Sequence, residues 1–307
     1  MPPRIAITLG DPRGIGPEVV GKTLADPLGK AEFVVIGPDE LVAELPADER
    51  IGIGTLGTRA GRADAALAAD LPLEAAGRLA AAAVLKAVEL VRSGDVGAIV
   101  TGPAEKRALH AAGYAYPGHT EWLAELAGGV DVVMMLVAGT LRVALVTTHI
   151  PLAAVPSTVT IERVLKTGHI TRSALECWWG IEDARLAVCA LNPHGGEGGL
   201  FGAEDDEILA PAARELDAAG PIPADTVFVR ALRGEFDAVL APYHDVGMTA
   251  VKVAGFGGGV NVTLGLPFIR TAPDHGTAFD IAGRGIADAG SMREAVRLAA
   301  ELATLRR

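Results

Sequence analysis

The chain has 307 residues, of which 50% are hydrophobic and 21% are charged, and its formal net charge is −11. This length and apolar content suffice for a large globular core and exclude a disordered or fibrous chain. The negative charge argues against a nucleic-acid partner, which requires a basic face, although local lysine, arginine or metal charge still allows an anionic substrate.

Strand-like and helical segments alternate along the chain. Seven apolar runs of strand length are predicted at residues 5–9, 33–36, 98–101, 132–137, 143–147, 186–190 and 238–241. Longer segments with helical periodicity are predicted at residues 73–91, 161–178, 205–216 and 291–305. This alternation predicts an α/β fold with a largely parallel sheet and helices on its faces.

Two glycine-containing patterns formally match nucleotide-binding motifs, and we interpret both as coincidental. Residues 16–23 satisfy the Walker A pattern, but Pro17 is typical of a first helical position, which places Lys22 inside a helix rather than in a phosphate loop. Residues 52–57 match the dinucleotide fingerprint but follow no buried strand. A nicotinamide cofactor would therefore not bind through a standard Rossmann turn.

The most apolar stretch, residues 130–148, is predicted to form two paired strands. Asp131 and Arg142 interrupt it, so it does not read as a membrane span. Cys177 and Cys189 fall in a predicted helix and a predicted strand, where we expect buried free thiols. Because the N-terminus lacks a signal-peptide pattern, the protein is expected to be soluble and cytoplasmic.

Three apolar runs each end on a histidine, namely His149, His194 and His244. The carboxyl ends of parallel strands meet at one edge of a sheet, where ligands bind in α/β proteins. Three imidazoles delivered to that edge would form a metal site with open positions for substrate or water. The pattern does not identify the metal, and a single strand-end histidine is more often a hydrogen-bonded loop residue.

The segment from Ala241 to Gly285 is rich in glycine and in charged or polar side chains. Lys252, Asn261 and Arg270 lie in it, and Asp274-His275 follows. Glycine lets backbone amides approach a ligand closely, and lysine and arginine supply charge for a phosphate or a carboxylate. The alternative is an ordinary loop with solvated charges.

Seven motifs occur in an order that resembles a known family. They are GDPRGIGPE at 10–18, YPGHTEWLAEL at 116–126, ALVTTHIPL at 144–152, LNPHGGEGG at 191–199, GPIPADTVF at 220–228, YHDVG at 243–247 and VNVTLGLPFIRTAPDHGTAFDIAGRG at 260–285. With them the chain resembles the 4-hydroxythreonine-4-phosphate dehydrogenases of pyridoxal phosphate biosynthesis. The resemblance covers nearly the whole chain.

The resemblance implies NAD(P)-linked, divalent-metal-dependent oxidation of a secondary alcohol, followed by decarboxylation. The expected reaction converts 4-phosphohydroxy-L-threonine to 3-amino-2-oxopropyl phosphate, with Zn, Mg or Co as the metal. The implied architecture is a two-lobed α/β/α fold related to isocitrate dehydrogenase, with lobes at residues 1–128 plus 272–307 and at 129–271. The implied assembly is a homodimer with metal ligands drawn from both subunits.

The same resemblance assigns roles to individual residues. His149, His194 and His244 become metal ligands, and the residues carried over as substrate contacts are His119, Thr120, Lys252, Asn261 and Arg270. Lys252 is the candidate for substrate proton transfer, and Asp225 and Asp245 are candidate orienters of the histidines or proton carriers. The resemblance assigns no residues to the cofactor. The chain departs from the family pattern at Glu105, Leu200 and Val246.

Three alternatives stay open at this point. Related enzymes oxidise D-threonate or D-erythronate 4-phosphate, which would keep the mechanism and change the substrate. A three-histidine metal hydrolase would activate water and bind no nicotinamide. A catalytically silent binding protein would retain metal only weakly.

Overall fold

The structure is a computed structural model, and it describes residues 2–26, 28–57, 68–255 and 257–306. The chain divides into two compact units. Unit 1 comprises Met1–Val130 and Leu266–Leu305, and unit 2 comprises Asp131–Gly265. Strands and helices alternate in both units, which confirms the predicted α/β class.

The described residues of unit 1 form five parallel strands in the order β3-β2-β1-β4-β11. Their bounds are β1 Arg4–Thr8, β2 Glu32–Gly37, β3 Glu49–Gly52, β4 Ala98–Thr101 and β11 Ile269–Pro273. Every residue of β4 and β11 is buried, as expected for strands covered on both faces.

The described residues of unit 1 also form helices. They are α1 Gly16–Ala25, α2 Asp39–Ala43, α3 Leu73–Ser93, α4 Lys106–Ala111, α5 His119–Leu126 and α11 Gly290–Leu305. Helix α3 buries an alanine-rich face on β1, β2 and β4, and it ends at Gly94, whose φ of 82° suits glycine. Helix α11 packs on β11 and β4.

Unit 2 contains six strands in the order β10-β5-β6-β9-β7-β8. Their bounds are β5 Val133–Ala138, β6 Leu141–Leu145, β7 Leu186–Cys189, β8 Ala219–Ile222, β9 Ala238–Ala241 and β10 Val260–Leu264. Strands β5 and β6 form the predicted pair, which is antiparallel, whereas β6, β9, β7 and β8 run parallel. The parallel part presents its carboxyl ends at one edge.

The helices of unit 2 are α6 Val155–Thr158, α7 Ile161–Trp179, α8 Ala210–Glu215, α9 Ala224–Leu232 and α10 His244–Gly255. Short 3-10 turns lie at Leu152–Ala154 and Pro193–Gly196, and a π-helical turn lies at Asp205–Leu209. Helix α7 begins at a capping threonine, Thr160, whose side chain accepts a hydrogen bond from the Arg163 amide. Helices α9 and α10 contribute Val227, Ala231 and Val251 to the core beneath β6, β7 and β9.

Several elements were not anticipated from periodicity. Strand β3 is an exposed edge strand and β8 contains a Gly-Pro step, so neither carries a buried apolar run. Strand β11 was missed because Arg270 and Pro273 interrupt its apolar pattern. The predicted boundary between residues 271 and 272 falls inside this strand, which lies in unit 1.

Both nucleotide-like patterns lie in ordinary structural segments. Lys22 is inside α1, where its Nζ donates to Glu18 Oε1 at 2.9 Å and to the carbonyls of Gly285 at 2.9 Å and Ala287 at 2.7 Å. This lysine therefore links α1 to the segment of Gly285 and Ala287 by hydrogen bonds. A short, largely exposed strand, β3, does precede the second pattern, but residues 53–57 are not helical and residues 58–67 lie outside the described residues.

The two cysteines are free thiols, but the expectation that both are buried was wrong. Cys177 is exposed on α7, whereas Cys189 is buried at the end of β7. Burial, with the nearby charge of Asp205, raises the pKa of the Cys189 thiol to about 12. Within the described part of the chain, no helix combines the length and the apolar character needed to cross a membrane.

Candidate functional site

Three neighbouring parallel strands of unit 2 lead to the three predicted histidine ligands. Strand β6 is followed by His149, β9 by His244 and β7 by His194. The three strands lie side by side in the order β6-β9-β7. Because parallel strands end at a common edge, this arrangement agrees with the strand-end placement expected from the sequence.

Two of these histidines lie together. The rings of His149 and His244 have centroids 5.4 Å apart, at an interplanar angle of 47°. His244 begins α10, and its Nδ1 lies 2.7 Å from Oδ1 of Asp245. A carboxylate at Nδ1 favours the tautomer with the proton on that nitrogen, which leaves the lone pair of Nε2 for a cation. Asp245 therefore lies within hydrogen-bond distance of this ring, and its orienting role stays a prediction.

His194 lies in a separate turn, which follows β7. Its backbone has φ 54° and ψ 24°, a left-handed conformation that is unusual for a residue with a side chain. It lines a cavity of about 360 Å³ together with Asp225 and Tyr243. Asp225 is exposed in the first turn of α9 and accepts a hydrogen bond from Thr226 Oγ1 at 3.0 Å.

One chain does not assemble the predicted three-histidine centre. Among residues 2–26, 28–57, 68–255 and 257–306, no three His, Cys, Asp or Glu side chains lie close enough together to hold a metal ion. Strand β9 separates β6 from β7, and neighbouring strands are about 4.8 Å apart. The His149–His244 pair, with a carboxylate behind one ring, still has the donor chemistry that a divalent transition metal prefers. The three-ligand site stays a prediction.

Lys252, the candidate for proton transfer, is exposed in the last turn of α10. It follows His244 by eight residues on the same helix, which corresponds to roughly 12 Å along the helix axis. The other predicted substrate contact in unit 2 is Asn261 on β10, whose Oδ1 is buried without a hydrogen-bond partner among the described residues. An amide oxygen in that state is suited to accept a hydrogen bond from a ligand.

The remaining three predicted substrate contacts lie in unit 1. Arg270 on β11 has only 4% of its surface exposed, and its Nε and Nη2 donate to Thr101 Oγ1 at 3.1 and 2.5 Å. Burial lowers the pKa of Arg270 to about 10, with the charge of Glu121 acting in the opposite direction. The guanidinium is therefore still protonated at neutral pH.

His119 and Thr120 form the first turn of α5. The Nε2 atom of His119 is buried and has no hydrogen-bond partner in the described part of the chain. Burial, together with the charge of Arg270, lowers the pKa of His119 to about 3. The imidazole is thus neutral at neutral pH, and its open nitrogen and the nearby buried cation together suit an anionic, hydrogen-bonding ligand.

The depressed pKa of His119 predicts acid-sensitive stability. Between the unfolded value of about 6.5 and the folded value of about 3, only the unfolded chain binds the proton, so falling pH lowers the free energy of unfolding, by at most about 1.4 kcal/mol per pH unit. His119→Asn should flatten this dependence when urea unfolding is compared at neutral pH and near pH 5. His169→Asn, at an exposed position of α7, is the matched control. An unchanged slope in His119→Asn would contradict the assignment.

Sequence reasoning missed residues that hold the site in shape. Thr101, the acceptor for Arg270, ends β4 and could have been found by the same strand-end signal. Asp11 is fully buried, and its carboxylate accepts hydrogen bonds from Nε and Nη2 of Arg13. Nη2 of Arg13 also donates to Oε2 of Glu105 at 2.8 Å. The departure from the family pattern at Glu105 is thus accompanied by an ion pair with Arg13. The sequence gives no sign of that pairing, because the partners are 92 residues apart.

Known proteins resemble this chain over almost its full length. The family described as pyridoxal phosphate biosynthetic protein PdxA matches residues 51–299. A 4-hydroxythreonine-4-phosphate dehydrogenase of Geobacter metallireducens is 45% identical, covering 99% of this chain and 96% of the relative. A D-threonate 4-phosphate dehydrogenase of Cupriavidus necator is 46% identical, covering 99% and 98%. The crystal structure of the 4-hydroxythreonine-4-phosphate dehydrogenase of Klebsiella pneumoniae matches with a TM-score of 0.83 at 39% identity, over 98% of this chain and 99% of that one.

Proposed function

This chain belongs to the family of the pyridoxal phosphate biosynthetic protein PdxA, and from that premise we propose the reaction it catalyses. The proposed reaction is NAD(P)- and divalent-metal-dependent oxidation of 4-phosphohydroxy-L-threonine, with decarboxylation to 3-amino-2-oxopropyl phosphate. The observation that carries it is the buried guanidinium of Arg270 beside the open Nε2 of His119. A buried cation and an unpartnered donor or acceptor suit a phosphate group.

In this proposal the phosphate is held by charge and by hydrogen bonds together. Arg270 supplies a planar cation whose position is set by Thr101. His119, being neutral, donates a single hydrogen bond without bringing a second full charge into the pocket. Thr120 adds a hydroxyl in the first turn of α5, where an anion is favoured. Lys252 and Asn261 are the further proposed substrate contacts.

The proposed metal ligands are His149, His194 and His244. A bound Zn, Mg or Co ion supplies Lewis acidity, which lowers the pKa of the substrate hydroxyl and stabilises negative charge on its oxygen. Asp245 fixes the tautomer of His244 by accepting the proton of Nδ1. Asp225, which shares a cavity with His194, is proposed to carry a proton to or from that cavity. Lys252 is proposed to transfer the proton of the substrate.

A second copy of this chain is the proposed partner, because one chain brings together only two of the three ligands. Exposed apolar side chains occur on the segments that carry the ligands. Leu152 follows His149 with 69% of its surface exposed, and Leu200 follows His194 with 72% exposed. Val253, next to Lys252, is 70% exposed. Exposed apolar side chains near a functional edge are compatible with an interface, and symmetric homodimers are the commonest assembly.

The main alternative substrate is a sugar-acid phosphate. Relatives named D-threonate 4-phosphate dehydrogenase reach 46% identity, similar to those named for the amino-acid phosphate. Both substrate types carry the phosphate that Arg270 and His119 would bind, so these residues do not discriminate between them. The hydrolase alternative has no support from relatives that are named dehydrogenases.

The deciding experiment is a direct assay of cofactor reduction. Purified protein is incubated with NAD or NADP, with Zn, Co or Mg, and with 4-phosphohydroxy-L-threonine, D-threonate 4-phosphate or D-erythronate 4-phosphate, and absorbance is followed near 340 nm. Metal-dependent reduction with preference for the amino-acid phosphate supports the proposal. Preference for a sugar-acid phosphate would change the proposed substrate and leave the proposed mechanism unchanged. No reduction with any combination, in protein that binds metal, refutes the dehydrogenase function.

A further inference from the structure

The turn that carries His194 has a strained backbone. His194, Gly195, Gly196 and Glu197 have consecutive φ values of 54°, 68°, 79° and 44°. Glycine adopts this left-handed region readily, but His194 and Glu197 do so only at an energetic cost. Such a conformation persists only when surrounding contacts hold it in place.

A buried carboxylate lies directly behind this turn. Asp205 is fully buried, and each of its oxygens accepts one backbone hydrogen bond from the segment before His194. The amide of Leu191 donates to Oδ1 at 2.8 Å, and the amide of Asn192 donates to Oδ2 at 2.9 Å. A carboxylate buried without such partners would be strongly unfavourable, so Asp205 and this segment fix each other.

The neighbouring acidic residue holds the same segment by its side chain. Glu204 accepts a hydrogen bond at 2.9 Å from the side-chain amide of Asn192, two residues before His194. Its own backbone amide and this bond from Asn192 lower the pKa of Glu204, so it is ionised at neutral pH. We call Glu204 and Asp205 the acidic clamp. Asp205 also begins a π-helical turn, an irregularity often found at functional sites.

We propose that Asp205 is a positioning residue for His194, which it keeps in the left-handed turn that presents the imidazole to the cavity shared with Asp225. The inference rests on the metal-dependent function proposed above. Asp205 itself contacts backbone amides, and it acts on the reaction only through the histidine. The two amides that donate to Asp205 belong to the residues immediately before Pro193. Each carboxylate oxygen therefore holds the backbone that leads into His194, which lines the cavity.

The test is Asp205→Asn in the full-length protein. Asparagine keeps the shape but replaces one oxygen by an NH2 group, which cannot accept from a backbone amide. We expect Co²⁺ affinity, measured by titration calorimetry, to fall about tenfold, and the metal concentration for half-maximal turnover to rise equally. Excess metal should restore kcat, and the KM for the phosphorylated substrate should change by less than about twofold. Asp206→Asn, at an exposed position beside Asp205, is the matched control and should bind Co²⁺ like the wild type.

Two further variants separate the possible failures. His194→Ala must lose Co²⁺ affinity if the proposed metal site is correct; wild-type affinity in that variant would refute the metal site and this inference with it. Impaired binding in His194→Ala, combined with wild-type binding in a folded Asp205→Asn protein, would overturn the positioning role alone. If Asp205→Asn does not fold, Glu204→Ala removes the half-buried member of the acidic clamp and should weaken Co²⁺ binding about threefold. Unchanged affinity in that variant would then overturn the proposal.

Discussion

Turnover of the proposed substrate is expected to fall at least about a thousandfold when His244 is replaced by alanine. His244 lies beside His149, and its Nδ1 contacts Asp245, so the substitution removes a proposed ligand that has an orienting partner. Loss of one of three proposed protein ligands weakens the binding of the metal ion and, with it, the effect of the metal on the substrate hydroxyl. The measurement is kcat at saturating metal together with bound metal after dialysis. The exposed His169 of α7 provides the control, because His169→Ala removes an imidazole from the same unit and should keep full activity.

Mixtures of inactive variants test the contribution of a second copy. Suppose that each metal site takes two histidines from one subunit and the third from its partner. A mixed dimer of two variants then has one intact site whenever the two replaced histidines are ones that different subunits supply to the same site. Two of the three pairings of His149→Ala, His194→Ala and His244→Ala should then recover up to about a quarter of wild-type activity. Recovery in none of the pairings would mean that the ligands come from one chain. Retention of turnover and bound metal in His244→Ala would refute the metal site itself.

Arg270→Lys is expected to raise the KM for the phosphorylated substrate about a hundredfold. Arg270 is buried, and two of its nitrogens are directed by Thr101, so a lysine cannot reproduce the planar contact. Charge-assisted hydrogen bonds contribute about 1.5–3 kcal/mol each, which corresponds to roughly ten- to a hundredfold in affinity. Steady-state kinetics with separate kcat and KM values give the first measurement.

A second measurement distinguishes weaker phosphate binding in Arg270→Lys from a general loss of stability. Inorganic phosphate should raise the Tm of the wild-type protein and have much less effect on the variant. Arg78→Lys on α3 is the control, because Arg78 is exposed and forms a surface ion pair with Glu74. An unchanged KM, together with undiminished phosphate stabilisation in Arg270→Lys, would refute the phosphate pocket.

The local pattern of apolar residues was sufficient to predict many strands and helices of the fold. The apolar runs at β1, β4, β7 and β9 are fully or almost fully buried, and such runs are readable because a strand covered on both faces needs an apolar side chain at nearly every position. The long helices α3 and α7 were readable from their periodicity. Strands with a one-sided or interrupted pattern, such as β3, β8 and β11, were not readable.

The side chains that support the site could not be derived from local pattern. Asp205 has the sequence pattern of any acidic residue in a helical segment, yet it is fully buried, and its oxygens accept hydrogen bonds from backbone amides 14 and 13 residues earlier in the chain. Thr101 and Arg270 are 169 residues apart, and Arg13 and Glu105 are 92 apart. No periodicity links residues at such separations.

By itself, the sequence determined the α/β class, the placement of His149, His194 and His244 after strands, and the motifs that identify the family. These properties depend on local apolar pattern and on residue type, and a single chain displays both. Only the tertiary structure decided that His149 and His244 lie together while His194 occupies a separate strained turn, and that Arg270 and His119 share a buried environment. Strand order and burial set these relations, and both arise from contacts between residues far apart in the chain.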